Sequence, residues 1–228
     1  MMIGANVEAV RVRMAEAARK AGRETLPRLV GVTKKRSLEE IREVVRAGVF
    51  HLAENRWEEW DTKCRNLDAG ISWHFLGTIQ SRGLRKFYRP LYRIDSLDSL
   101  PHAELLATLS GQQGGRQAVL LEVNFLREPG RAGYLPEDIE QELEMVASLD
   151  GLDIQGLMVM GPVPEPSGNT DRTRRVFEEA RDFWTRLKGG WPFLEELSMG
   201  MSEDFEEGIR CGATEVRIGR LLFEGGRV

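Results

Sequence analysis

Lys34 is the residue whose type and setting first suggest chemistry. Residues 29–37 read Leu-Val-Gly-Val-Thr-Lys-Lys-Arg-Ser, a short apolar run that stops at three consecutive cations. Val30, Val32 and Lys34 alternate, so a strand here puts the Lys34 amine on the face of two β-branched residues, at the strand's C-terminal end. A lysine held against apolar walls beside another cation loses its proton more readily, and the neutral amine can attack a carbonyl to form a Schiff base. A solvated charge just after a strand is the competing reading, and this stretch alone leaves both open.

Other groups suggest an anion site. Ser198-Met199-Gly200-Met201-Ser202 offers two hydroxyls and a glycine just before a helical pattern, where backbone N–H groups and the helix dipole can meet an anion. Ser202 acting only as a helix cap explains the same residues. Ile218-Gly219-Arg220 adds a second place of close backbone approach. Arg217 alternates with Val216 and Ile218, and a buried arginine requires an acceptor, either a carboxylate such as Glu215 or a ligand atom. His74 could be an acid or base, or a hydrogen-bonded packing residue.

The elements that must position these groups repeat along the chain. Apolar residues at helical spacing over 5–21 predict an amphipathic helix. Strands are predicted at 49–53, 72–76, 91–94, 118–123, 154–160, 194–199 and 215–218, after the one that carries Lys34. Helical patterns lie between them, one opened by Ser37 with Glu40 three residues on and another with Pro101 in its first turn. The order and the length predict a (β/α)8 barrel, one domain over residues 1–228. About ten residues follow the eighth strand, Gly225 and Gly226 among them, so the N-terminal helix is expected to fill the place of a missing closing helix. In such barrels the working residues sit at the C-terminal ends of the strands, which here gathers Lys34, Asn55, His74, Met158, Ser198, Gly200, Arg217 and Gly219.

Composition narrows the function classes. With 41% hydrophobic and 30% charged residues and a net charge of −4, the chain reads as a soluble globular protein without a polyanion-binding face, so no nucleic acid is expected. Cys64 and Cys211 form no metal-ligand pair, charges interrupt the N-terminus, and nothing approaches the roughly 20 apolar residues of a membrane span. A cytoplasmic protein is expected, with no membrane contact.

The motifs Val32-Thr33-Lys34, Glu54-Asn55, His74-Phe75-Leu76-Gly77 with Gln80-Ser81, Gly156-Leu157-Met158, Leu197-Ser198-Met199-Gly200-Met201-Ser202 and Val216-Arg217-Ile218-Gly219 appear in one order over nearly the whole chain. In these the sequence resembles the pyridoxal phosphate homeostasis proteins. The resemblance implies a fold like the barrel domain of alanine racemase, with pyridoxal 5'-phosphate held on Lys34 as a Schiff base. It implies phosphate contacts from Ser198, Met199, Gly200, Met201, Thr214 and Gly219, a contact from Arg217 to the pyridine nitrogen, and Asn55, His74 and Met158 about the cofactor. Three positions depart from the family pattern: Ala213 stands where a serine is common, Arg82-Gly83 follows Gln80-Ser81 in place of Asn-Lys, and Thr33 replaces a serine. Loss of a hydroxyl at Ala213 is expected to weaken the hold on phosphate.

The expected function is storage and delivery of the cofactor without dedicated catalysis, by a monomer, with apoenzymes that use pyridoxal phosphate as possible recipients. The alternatives are an amino-acid racemase and a Schiff-base aldolase acting on a sugar phosphate through the same lysine.

Overall fold

The computed structural model describes residues 2–224. Eight parallel strands close a barrel in chain order: β1 (Arg28–Val32), β2 (His51–Glu54), β3 (Ser72–Phe75), β4 (Arg93–Leu97), β5 (Gln117–Val123), β6 (Leu152–Val159), β7 (Glu196–Met199) and β8 (Glu215–Ile218). β8 pairs back onto β1, with Val30 opposite Arg217. The helices are α1 (Met2–Lys20), α2 (Leu38–Arg46), α3 (Trp57–Asn66), α4 (Ser81–Phe87), α5 (Leu100–Gln112), α6 (Ile139–Ala147), α7 (Asp171–Gly190), α8 (Phe205–Arg210) and α9 (Arg220–Glu224). This is the expected (β/α)8 barrel.

Local chemistry sets the element ends. Ser37 Oγ accepts the Glu40 N–H at 3.3 Å while Glu40 Oε2 accepts the Ser37 N–H at 2.8 Å, the reciprocal cap expected for α2. Pro101 lies in the first turn of α5, where a missing N–H costs no helical bond. The fourth strand runs on past 91–94 because Asp95 and Ser96 are buried with partners. Asp95 Oδ1 accepts from Arg93 Nε at 2.7 Å, and Ser96 Oγ donates to the Gly77 carbonyl at 2.7 Å.

α1 fills the predicted gap in the outer ring. Its buried face (Val7, Val10, Met14, Ala17, Ala18) packs against α2, α8 and the short α9. Arg13 pairs with Glu206, and Asn6 donates to the Leu222 carbonyl at 3.1 Å. Gly225 and Gly226 lie outside the described residues.

The inside of the barrel is polar. Val119, Leu121 and Val123 join the apolar layer beneath the helices, so Leu120 and Glu122 face the barrel axis. By the same alternation Arg93 and Asp95 of β4, Ser198 of β7, and Glu215 and Arg217 of β8 point inward. Glu215 Oε2 accepts from Arg93 at 2.6 Å and from Arg28 at 3.1 Å, and Glu215 Oε1 from Ser198 Oγ at 2.8 Å. Burial disfavours charge on Arg93, but Asp95 and Glu215 outweigh it and leave its pKa above the ordinary value.

Candidate functional site

β1 ends at Val32, and Lys34 lies in the turn that follows. The Thr33 N–H still donates to the Ala53 carbonyl at 2.9 Å, and the Arg36 N–H returns to the Thr33 carbonyl at 3.0 Å. Lys35 takes φ +60°, a left-handed conformation unusual for a side chain of its length. Lys34 is therefore exposed, and the expected strand-end position against apolar walls is corrected. Its ammonium has no hydrogen bond or ion pair among the described residues.

A residue that sequence reasoning missed fixes this turn. The ammonium of Lys63, on α3, is buried and donates to the Thr33 carbonyl at 2.8 Å, Glu54 Oε1 at 2.5 Å and Glu59 Oε2 at 3.2 Å. Glu59 Oε2 also accepts the Lys35 N–H at 3.0 Å. Thr33 Oγ1 donates to Glu54 Oε1 at 2.5 Å. The available signal was spacing, because Lys63 falls three residues after Trp60 on the buried stripe of α3.

Beside this turn a cleft of about 350 Å³ opens at the C-terminal mouth of the barrel. It brings together Lys34, Asn55, Met158, Met201, Arg217 and Gly219 of the expected site residues. Arg217 is buried and donates to Ser198 Oγ at 2.8 Å and to the Val159 carbonyl at 2.9 Å. Neither bond goes directly to a carboxylate; Ser198 links the guanidinium to Glu215. Burial lowers the Arg217 pKa from its ordinary value against the pull of Glu215 and Asp95.

The anion-binding part of the cleft is narrower than the sequence suggested. The Met201 N–H is taken by Asp204 Oδ1 at 2.5 Å. The N–H groups of Ser202 and Glu203, both cleft-lining residues, carry no acceptor among the described residues. The Gly219 N–H donates to Ser202 Oγ at 3.3 Å, and a Cβ on Gly219 would stand 3.2 Å from the Val32 carbonyl oxygen. α8 starts three residues after Ser202 and has only six residues, so its dipole adds little.

Five expected residues do not line the cleft. His74 is fully buried inside the barrel, its ring nitrogens 3.0 Å from His51 Nδ1 and 3.0 Å from Asp95 Oδ2. Burial and then the neighbouring His74 push His51 down to about 4. Ser198 supports Arg217 without lining the cleft, and Met199 packs outward under the helices. Thr214 is at the opposite end of the barrel, just before β8, where its hydroxyl donates to Glu196 Oε2 at 2.7 Å. Ala213, also buried at that end, has no bearing on a phosphate at the mouth. Gly200 serves the turn itself: φ is +99°, and a Cβ there would meet Phe205 Cα at 2.8 Å.

Glu122 is the second residue that sequence reasoning missed. It is buried on the axis-facing side of β5, in register with Met158 of the cleft. Burial first, then Asp98, push its carboxyl up to about 7, against the pull of Arg217 and Arg131.

A phosphorylated aldehyde fits this donor set: an unpaired amine for the carbonyl, and unpaired backbone donors beside a glycine for the phosphate. No described helix is long and apolar enough to cross a membrane. Comparison with known proteins points the same way. The family described as alanine racemase, N-terminal domain, matches residues 5–226. A pyridoxal phosphate homeostasis protein of Deinococcus radiodurans is 36% identical, covering 98% of this chain and 100% of its own. Its counterpart from Pseudomonas aeruginosa is also 36% identical, over 97% and 94% of the two chains. The structure of PipY from Synechococcus elongatus with PLP bound superposes with a TM-score of 0.80 at 32% identity, covering 97% of this chain and 99% of that one. An alanine racemase of Clostridium difficile shares the fold, with a TM-score of 0.75 at 15% identity over 94% of this chain and 56% of its own. The chain thus belongs to the pyridoxal phosphate homeostasis proteins, built on the barrel of the alanine racemase N-terminal domain.

Proposed function

We propose that this protein binds pyridoxal 5'-phosphate at the mouth of its barrel and serves vitamin B6 homeostasis by holding the cofactor reversibly on Lys34, without a dedicated reaction of its own. One observation carries the reading: Lys34 has an unpaired ammonium at the edge of a cleft that also offers a buried guanidinium and unpaired backbone donors. The names of the relatives and the PLP-bound PipY structure support it.

When bound, the cofactor supplies an electrophilic aldehyde carbon to primary amines. Lys34 provides the amine of the protein. The Ser202 and Glu203 N–H groups would hold the phosphate beside Gly219, where no side chain intervenes, and Asn55 and Met158 line the space between. Arg217, anchored on Ser198 and Val159, would hold the ring nitrogen as a hydrogen-bond donor and so disfavour its protonation, which would make the ring a poor electron sink. Racemisation needs a second base across the ring from Lys34. Among the described residues Glu203 is the only carboxylate lining the cleft, and it is paired with Arg220 at 2.7 Å. Apoenzymes that require the cofactor are the proposed recipients.

The test is the visible spectrum of the purified protein before and after borohydride, followed by peptide mapping. A yellow protein whose reduced adduct maps to Lys34, and a Lys34→Ala variant that loses the adduct but retains weak binding, are expected. An adduct that survives in Lys34→Ala would move the assignment to Lys35. A colourless protein that stays unlabelled with added cofactor would overturn the reading and leave the aldolase.

A further inference from the structure

A second hollow, of about 410 Å³, lies on the outer side of Lys34. Val32, Lys34, Asn55, Gly219 and Arg220 line both this hollow and the inner cleft, so Lys34 and Asn55 form a shared sill. The outer walls add Lys35, Arg36, Arg56, Glu59 and Glu224. Five cations thus face two carboxylates, in a chain whose net charge is −4.

The charges are not equally free. Arg36 is paired with Glu40 and Glu224, and Arg220 with Glu203. Glu59 is committed to Lys63 and to the Lys35 N–H. The side chains of Lys34, Lys35 and Arg56 have no hydrogen bond or ion pair among the described residues, although the Arg56 charge helps to lower the Glu59 carboxyl. The left-handed turn at Lys35, held by Glu59 from the α3 side, keeps two consecutive lysines at this opening. Three unpaired cations around a hollow of this size suit one small dianion. A polyanion would need a continued basic track.

We propose that the outer hollow is a second, weaker anion site, which captures the phosphate monoester of an incoming ligand on Lys34, Lys35 and Arg56 before the ligand crosses the sill into the inner cleft. The idea rests on the reading that the inner cleft takes a phosphorylated aldehyde, and it concerns the rate of loading. Cations that act before docking raise the association rate and its salt dependence and leave the dissociation rate of the seated ligand little changed.

The experiment is stopped-flow association of pyridoxal 5'-phosphate with the full chain at several salt concentrations, wild type against the Lys35→Gln/Arg56→Gln double variant, with thermal melting to confirm the fold. The variant is expected to load about tenfold more slowly at low salt, with a flatter salt dependence and a dissociation rate within twofold of wild type. Equal loading rates with equal salt dependence would overturn the proposal. A second arm uses inorganic phosphate, followed by phosphorus NMR line broadening, with the inner lysine changed in both proteins (Lys34→Gln). Broadening that is lost with Lys35→Gln/Arg56→Gln upholds the outer site, even if no adduct ever forms at Lys34 and the inner reading fails. Broadening that is absent, or indifferent to Lys35 and Arg56, overturns the outer site whatever happens within.

Discussion

The Lys63 ammonium sits 2.8 Å from the carbonyl oxygen of Thr33, the residue directly before Lys34. Through Glu59 the same cation reaches the N–H of Lys35, the residue directly after it. One buried charge therefore brackets Lys34 on both sides while leaving its side chain unbound. Lys63→Met would strip the cation from Glu54, which is fully buried and already has one oxygen without a partner. A loss of about 3 kcal/mol in urea unfolding is expected, with most of it recovered in Lys63→Met/Glu54→Leu. A loss below about 1 kcal/mol would show that the clamp is peripheral.

Glu122 makes stability depend on pH. Its folded-state pKa of about 7 lies above the ordinary 4.5, so the native state binds the proton more tightly than the unfolded chain does. Its contribution is fully present below the ordinary value and is lost as pH rises through 7, a change on the order of 3 kcal/mol. Glu122→Gln should flatten this fall, most visibly when unfolding free energies at pH 5 and pH 8 are compared. A variant that declines as steeply as wild type would place the titrating group elsewhere.

Thr214 separates structure from binding. Its hydroxyl joins Glu196 to the Leu197 backbone at the end of the barrel remote from the cleft. Thr214→Val should lower stability by about 1 kcal/mol and leave cofactor affinity within twofold of wild type. A tenfold loss of affinity at unchanged stability would return Thr214 to the site.

Gly77 controls the position of Asn55. A Cβ at Gly77 would stand 2.1 Å from the Asn55 carbonyl oxygen, and that contact is backbone, with no flexible end to yield. Gly77→Ala should destabilise the protein by about 3 kcal/mol and weaken cofactor retention. Gly70→Ala, where nothing lies within 4 Å, should do neither, as thermal melts and equilibrium dialysis would show.

The alternation of apolar runs and helical stripes made the barrel readable, and the cations after a short apolar run marked the Lys34 turn. Arg217 was readable because it breaks an apolar strand that has no other reason to carry a guanidinium. Thr214 was misplaced through a rule that was available: a residue just before a parallel strand lies at the end of the barrel opposite the mouth. His74 is different in kind. Alternation puts it inside the barrel, but its depth follows from the pairing of His74 with Arg93, and register between distant strands leaves no mark in the local sequence. Lys63 was hidden because a lysine on a helix is ordinarily solvated. Only its fall on the stripe of Trp57 and Trp60 set it apart.

The seating of α1 against α8 and α9 has a consequence for synthesis on the ribosome. α2 follows α1 closely, but α8 and α9 are translated only about two hundred residues later, so the part of the α1 apolar face that they cover must wait for most of the chain. At about ten residues per second that interval is some twenty seconds. A trigger-factor-like chaperone that shields nascent apolar helices would therefore have the α8- and α9-facing side of α1 to cover during that interval, a demand set by the seating of one helix and independent of the lysine on which function turns.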